Sequence, residues 1–287
     1  MTIKSILVPL SDARSGKNAL KAGVGLAKMF GAHLTALHVE ADPRAIAVDY
    51  VGEAVSGAMI EEMMKTAQQR SDADTKSSRK LFDAACAAGG LKLSERPTSA
   101  NAPTASWRKE TGYEDGWLQT YGRFADLIVV GRAIDDKDLT AKLSLETALI
   151  ETGRPILLAP PTLPSKIGVN IAIAWKATAE AARSIEAAKA FFPTAKKVTI
   201  LTAKETDSDQ RPDELVAYLA WHGIKATVSK LRASDNIGAS LLSAAGKAGA
   251  DMLVMGAYGH SRMREMIFGG VTKHVIAKSS LPVLMTH

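Results

Sequence analysis

Ala250-Asp251-Met252-Leu253-Val254-Met255-Gly256 repeats, with substitutions, the earlier stretch Ala125-Asp126-Leu127-Ile128-Val129-Val130-Gly131. Each is a short apolar run that follows an Ala-Asp pair and ends on glycine. The apolar residues do not alternate with polar ones, which marks a strand buried on both faces, as in a parallel sheet covered by helices. The echo extends outward. Gly153-Arg154-Pro155-Ile156-Leu157-Leu158 parallels Ser280-Leu281-Pro282-Val283-Leu284-Met285. Upstream, Ile6-Leu7-Val8-Pro9-Leu10 opens a β-α-β pattern: polar residues from Ser11 to Ser15, a helical stretch to about Phe30, a break at Gly31-Ala32, then apolar Leu34 to Val39. Ile171-Ala172-Ile173-Ala174-Trp175 opens a second one, with Lys176-Ala177-Thr178, a helix to about Phe192, a stop at Pro193, and Val198 to Leu201. This repeat predicts an α/β chain of two tandem Rossmann-like domains, each with about five parallel strands and helices on both faces. They span residues 1–161 and 162–287. The seam is Pro160-Pro161-Thr162-Leu163-Pro164, where proline enforces extended chain.

The chain length of 287 residues suits two domains of ordinary size. Hydrophobic residues at 46% and charged residues at 23% exclude wholesale disorder and fibrous architecture. No apolar run of about 18 residues suggests a membrane span. The opening Met1-Thr2-Ile3-Lys4-Ser5 lacks the order of a signal peptide, and Cys86 is a lone cysteine. A reduced, cytoplasmic protein is therefore expected. The net charge of +6 lies wholly in residues 162–287, because residues 1–161 balance. The excess is too diffuse for nucleic acid: there is no Lys/Arg run, zinc finger or aromatic RNA-binding motif. It does favour an anion near the second half.

In a parallel α/β sheet, ligands bind beyond the carboxyl ends of the strands, where the strand order switches. The loop after Met255 has the strongest pattern: Gly256-Ala257-Tyr258-Gly259-His260-Ser261-Arg262-Met263-Arg264-Glu265-Met266-Ile267-Phe268-Gly269-Gly270-Val271-Thr272-Lys273-His274. Its glycines permit tight turns and close backbone approach. Gly269-Gly270 precedes a helix start at Val271 and Thr272, where free amides and the helix dipole favour phosphate. Arg262, Arg264, Lys273 and Lys278 surround it, against the single acid Glu265.

The spacing of Gly256, Gly259 and Gly269 resembles the nucleotide-binding signature of the universal stress protein family. The opening strands Ile6–Pro9 and Ile171–Ala174, and the closing Leu281-Pro282-Val283-Leu284, resemble that family's first and last strands. The resemblance covers nearly the whole chain as two copies and implies domains of the adenine nucleotide alpha hydrolase type. It implies ATP, or ADP or AMP, with Mg²⁺ as an escort, in the second domain. Gly256, Gly259, His260, Arg262, Gly269, Gly270, Val271 and Thr272 would meet phosphate, and Ala174 and Lys176 would lie near the nucleoside. It also implies pairing of two domains through their last strands, here within one chain, and leaves open a homodimer. Two residues depart from the family pattern. Gly270 stands where the family has Ser or Thr, and Lys176 where it often has an acid. In the first half the second glycine is absent after Gly131-Arg132-Ala133-Ile134, and acidic Asp135-Asp136-Lys137-Asp138 would repel phosphate, so that half has lost its site.

The first half also carries an extra segment, about 42–88, helical from Glu53 to Gln69, with Met59, Met63 and Met64 on neighbouring turns. It packs on its neighbours or offers a methionine-rich partner surface, and the latter gives the rival reading of a nucleotide-free interaction module. His33 and His38 lie on opposite faces of one strand, which argues against a shared metal. Gly23-Val24-Gly25 sits inside a predicted helix and is set aside as a dinucleotide fingerprint. Trp107, Trp117, Trp175 and Trp221 read as packing residues. No nucleophile–base pair is apparent, so catalysis is not expected; slow ATP hydrolysis would rest on the phosphate loop alone.

Overall fold

The computed structural model describes residues 2–10, 13–44, 56–96, 102–135, 138–203, 210–231, 236–257 and 270–287. The first half contributes β1 (Ser5–Pro9), α1 (Ala13–Phe30), β2 (His33–Glu40), α2 (Gly57–Gly89), β3 (Lys92–Leu93), β4 (Thr104–Thr111), α3 (Glu114–Gly122), β5 (Leu127–Gly131), α4 (Leu139–Glu151) and β6 (Ile156–Ala159). The second contributes β7 (Asn170–Ala174), α5 (Ala179–Ala188), β8 (Lys197–Thr202), α6 (Pro212–Trp221), β9 (Ala226–Lys230), α7 (Ile237–Lys247), β10 (Met252–Gly256), α8 (Gly270–Lys278) and β11 (Val283–Thr286).

The eleven strands among the described residues form one sheet in the order β3-β4-β2-β1-β5-β6-β11-β10-β7-β8-β9. Pairing is parallel within the first half and within the second. The halves join where β6 meets β11 antiparallel, with Leu157 opposite Leu284 and Ile156 opposite Met285. The last strands of the two copies thus pair inside one chain. Successive strand residues feed opposite layers. Ile6, Val8, Ile171 and Ile173 pack under α1, α2, α5 and α6, together with Phe82, Ile185 and Leu219. Leu7, Ile128, Ala172 and Leu253 pack under α3, α4, α7 and α8, together with Leu118, Leu149, Leu241 and Val275. Both faces are buried, which is why the strands read as unbroken apolar runs. Phe30 and Phe191 meet edge to face, 5.1 Å between centroids, and tie the first layer across the halves.

The repeated Ala-Asp pair now has a physical reason. Asp126 Oδ2 accepts from the amides of Lys4 and Ser5. Asp251 accepts from the amides of Gly168, Val169 and Asn170. The carboxylate anchors the entry of β1 beside β5 in the first half and of β7 beside β10 in the second. Gly23, inside α1, has a packing role: a Cβ there would come within 2.8 Å of Val8 Cγ2.

Three expectations need correction. The inserted helix runs from Gly57 to Gly89, well past Gln69. Ser56 caps it by accepting from Met59 N, and Gly90 ends it at φ 69°. No breaker lies between, so 33 residues make a helix about 50 Å long. Glu53 lies outside the described residues. The helix expected to reach Phe192 ends at Ala188, followed by a 3₁₀ turn at Phe192–Thr194. Proline at 193 has no N–H and its ring would meet the carbonyl of residue 189, so the chain tightens and buries Phe191 and Phe192. Trp221 is not a packing residue; it is 89% exposed.

Candidate functional site

β7 and β10 are neighbours, with Met255 opposite Ala174, and their carboxyl ends open on the same side. From there the chain diverges. The segment after β7 enters α5 on one layer, and the segment after β10 leads to α8 on the other. This divergence is the switch point at which an α/β sheet holds ligands.

At the β7 end, Ala174 is half-buried and Lys176 is exposed. The Trp175 indole donates to the Gln210 carbonyl at 2.6 Å, and the Ala177 amide donates to Gln210 Oε1 at 3.3 Å. Gln210 precedes Arg211, the one non-glycine residue with positive φ (35°) among the described residues. Pro212 follows, and a residue before proline avoids the right-handed helical region. Thr178 caps α5 by accepting from Ala181 N. Glu180, in that first turn, has its carboxyl held below the usual range, first by its own backbone amide, then, against the opposing effect of burial, by Thr178 and Arg183. Arg183 also donates to the His287 carbonyl at 2.9 Å.

At the β10 end, Gly256 is required by packing. A Cβ there would lie 2.5 Å from Ala181 N and 2.7 Å from the Glu180 carbonyl carbon. Its glycine lets α5 set its first turn on the strand end, where Thr286 Oγ1 donates to the Glu180 carbonyl at 2.9 Å. Helix packing, as well as ligand approach, thus calls for glycine here. Gly270 opens α8 and is exposed, and a Cβ there would meet no described atom within 4 Å. Val271 is half-buried and Thr272 is buried, 6% exposed, so its hydroxyl belongs to the interior. The structure therefore brings Ala174, Lys176 and Gly256 to one strand end. Gly259, His260, Arg262 and Gly269 lie outside the described residues.

The corresponding place in the first half is filled by the protein's own groups. Asp138 caps α4, accepting from Ala141 N at 3.1 Å and from Ile134 N at 3.2 Å. Its carboxylate sits on the amides that an anion would need. Arg132 reaches across the halves and donates to the Ser279 carbonyl at 2.8 Å. Burial lowers the Arg132 pKa from its ordinary value. Sequence reading found the acidic segment but missed the capping role; an Asp before Leu139 was the available signal. Gln210 and Arg211 carried no signal, because their role depends on contacts across the chain.

His33 and His38 do not share partners. The His33 ring nitrogens meet Thr104 Oγ1 and Ser106 Oγ, and those of His38 meet the Leu10 carbonyl and Thr75 Oγ1. Among the described residues there is no group of three or more His, Cys, Asp or Glu that could hold a metal ion. Among them, too, no helix is long and apolar enough to cross a membrane.

The family model for the universal stress protein family matches residues 166–287. A 34-residue stretch is 53% identical to the universal stress protein Slr1230 of Synechocystis sp., and spans 12% of this chain and 12% of that protein. A universal stress protein from Archaeoglobus fulgidus has a similar fold, with 16% identity and TM-score 0.69 over 99% of this chain and 96% of that one. A provisionally assigned universal stress protein from Pseudomonas aeruginosa is similar over 99% of this chain and 93% of its own, with 14% identity and TM-score 0.55. A universal stress protein domain is thus matched over residues 166–287, and the fold of the whole chain is similar to that of solved universal stress proteins.

Proposed function

We propose that the second half binds an adenine nucleotide, ATP or its ADP or AMP relatives, at the ends of β7 and β10, and that the protein acts as a cytoplasmic stress regulator rather than an enzyme. The observation that carries this reading is the switch-point opening, with Gly270 exposed at the start of α8 and no described atom within 4 Å of a Cβ built there. A helix start of this kind offers amides and a positive dipole end to phosphate. The glycines and cations at 256–273 supply the rest by sequence, with Gly259, His260, Arg262 and Gly269 as phosphate contacts. Lys176 is free to approach phosphate rather than to read ribose. Mg²⁺ would enter with the phosphates, since the described residues offer it no cage of their own. The first half, with Asp138 on its amides, contributes no second site.

Isothermal calorimetry on the full chain with ATP, ADP and AMP is the direct test. Saturable heat at up to millimolar nucleotide, lost in Gly270→Trp, is the expected result. No saturable heat with any of the three would leave the rival reading, an interaction module. That reading has the exposure of α2 behind it, where Met59 is 57% exposed.

A further inference from the structure

The helix α4 is apolar on both sides. Ala141, Leu145, Ala148 and Leu149 are buried on its inner face. On its outer face Leu139, Leu143 and Ile150 are 71%, 48% and 48% exposed. At about 100° per residue these three fall within about 40° of one another, opposite the buried set. Ile134, 59% exposed, adjoins the stripe at its amino end, where its amide donates to the capping Asp138. A helix that is apolar all round belongs in an interior. The ordinary arrangement is that of α1, whose outer face presents Lys17, Lys21 and Lys28.

The repeat does not require the stripe. Carried back from the matched segments 153–158 and 280–285, the correspondence sets Leu143, Glu146 and Ile150 against Gly270, Lys273 and Ala277 of α8. All three of the latter are exposed, and none is a large apolar residue. The same frame therefore carries a polar, small-residue outer helix in one half and an apolar one in the other.

We propose that the outer face of α4 is the contact between two copies of this chain, a surface distinct from the nucleotide end of the second half. Two observations select a second copy. The first is spacing and charge. Leu139, Leu143, Glu146 and Ile150 follow intervals of four, three and four, the seam of a helix pair. Glu146 is half-buried, and its carboxylate has no partner among the described residues. A parallel pair would set Glu146 against its own copy. An antiparallel pair about a two-fold axis sets Leu139 against Ile150 of the second copy, and Glu146 beside Lys142 of the second copy, twice over. The Lys142 ammonium has three donors to share. The second observation is area. Phe124, 79% exposed, lies just past α3 at the same end as Ile150, where Arg154 donates to the Arg123 carbonyl through Nε and Nη2. Full burial removes on the order of 100 Å² from an aliphatic side chain and about 200 Å² from a phenylalanine. Weighted by exposure, Phe124, Ile134, Leu139, Leu143 and Ile150 offer roughly 400 Å² of apolar surface per copy. A standard interface takes about 800 Å² from each partner, a little over half of it apolar.

Sedimentation velocity on the full chain tests this. Between about 1 and 100 μM, the mean mass is expected to rise from the 30.4 kDa of one chain toward twice that value. Leu143→Glu sets a second carboxylate in the seam of each copy and should weaken association at least tenfold, with thermal melting as the check on folding. Glu146→Lys touches no buried packing and should weaken it as well, and Lys142→Glu added to that chain should restore it by reversing the pair. Ala277→Glu, at the matching place on α8, should leave the dimer intact. A parent that stays a single chain at about 100 μM would leave the stripe to a different protein and overturn the proposal. A dimer undisturbed by Leu143→Glu and Glu146→Lys, or disturbed equally by Ala277→Glu, would overturn it too.

Discussion

Gly256→Ala distinguishes two explanations of the same glycine. If residue 256 is glycine so that a ligand can come close, alanine should weaken binding and leave stability alone. The structure gives a different account. The added methyl would lie 2.5 Å from Ala181 N, 2.7 Å from the Glu180 carbonyl carbon and 2.8 Å from Glu180 Cβ. Two of these are backbone atoms in the first turn of α5, so no side-chain rotation relieves the clash. The helix must move off the strand, loosening the Thr286–Glu180 hydrogen bond beneath it. Overpacking of this kind costs about 1–3 kcal/mol. At about 2–4 °C per kcal/mol for a chain of this size, the melting temperature should fall by about 2–12 °C. Gly270→Ala is the internal control, because its added methyl meets no described atom within 4 Å. Alanine is the better helix former by up to about 1 kcal/mol, so this variant should melt no lower than the parent. Thermal unfolding by circular dichroism, with calorimetric titration of ATP on both variants, reads the two effects separately. A Gly256→Ala protein that melts with the parent but no longer binds would refute the packing account and restore the ligand one.

Asp251→Ala should destabilise by about 1.5–3 kcal/mol, more than Asp126→Ala, because three amides rather than two lose a charged acceptor; urea unfolding of the pair tests the ranking. Asp138→Ala removes the α4 cap and should cost about 0.5–2 kcal/mol by the same assay, without creating a second nucleotide site. Burial pushes the Cys86 thiol up to about 11, Asp83 adding to the effect and Arg79 opposing it, so a thiol reagent at neutral pH should react only as the chain opens. Burial also lowers the His33 pKa, with Glu95 opposing. The depressed folded value means that this contribution to stability is complete above the ordinary histidine value of about 6.5 and declines as pH falls below it. His33→Gln should flatten that part of the stability–pH curve, and an unchanged slope would count against the assignment.

The fold was legible because burial on both faces leaves a pattern that composition cannot hide. Val129 and Val254 occupy matching places in the two halves, and both strands are apolar at every inner position. A pattern set by the average environment of a strand survives in a single sequence. The site was legible only where chemistry is local. Glycine before a helix start, and lysine where an acid would read a ribose, depend on nearby residues and can be seen in the string. Gln210 holding the Trp175 indole could not be seen, since a carbonyl 35 residues away is not a property of either segment. Gly256 shows the same limit: ligand approach and helix approach both call for a missing side chain, and sequence does not say which neighbour arrives. The length of α2 was missed because the apolar stripe fades after Met64, while a cap at Ser56 and a stop at Gly90 lie 34 residues apart.

The two halves show how one repeat can divide its work without changing its frame. Their Asp anchors, strand order and final strands correspond, so the architecture is held by the same interactions twice. What differs lies at the strand ends. In the first half the anion position is occupied by Asp138, and the ends of β1 and β2 are bound to α2 through His38 and Thr75. In the second half, Gly270 and Lys176 are exposed, an added Cβ at Gly270 would meet no described atom within 4 Å, and the proposed anion would enter at that end. β6 and β11 connect the two ends through a shared sheet, and Arg132 of the first half grips the carboxyl end of α8, the helix whose amino end faces the proposed phosphate. A hydrogen-bonded sheet and the half-buried Arg132 guanidinium therefore link the two halves.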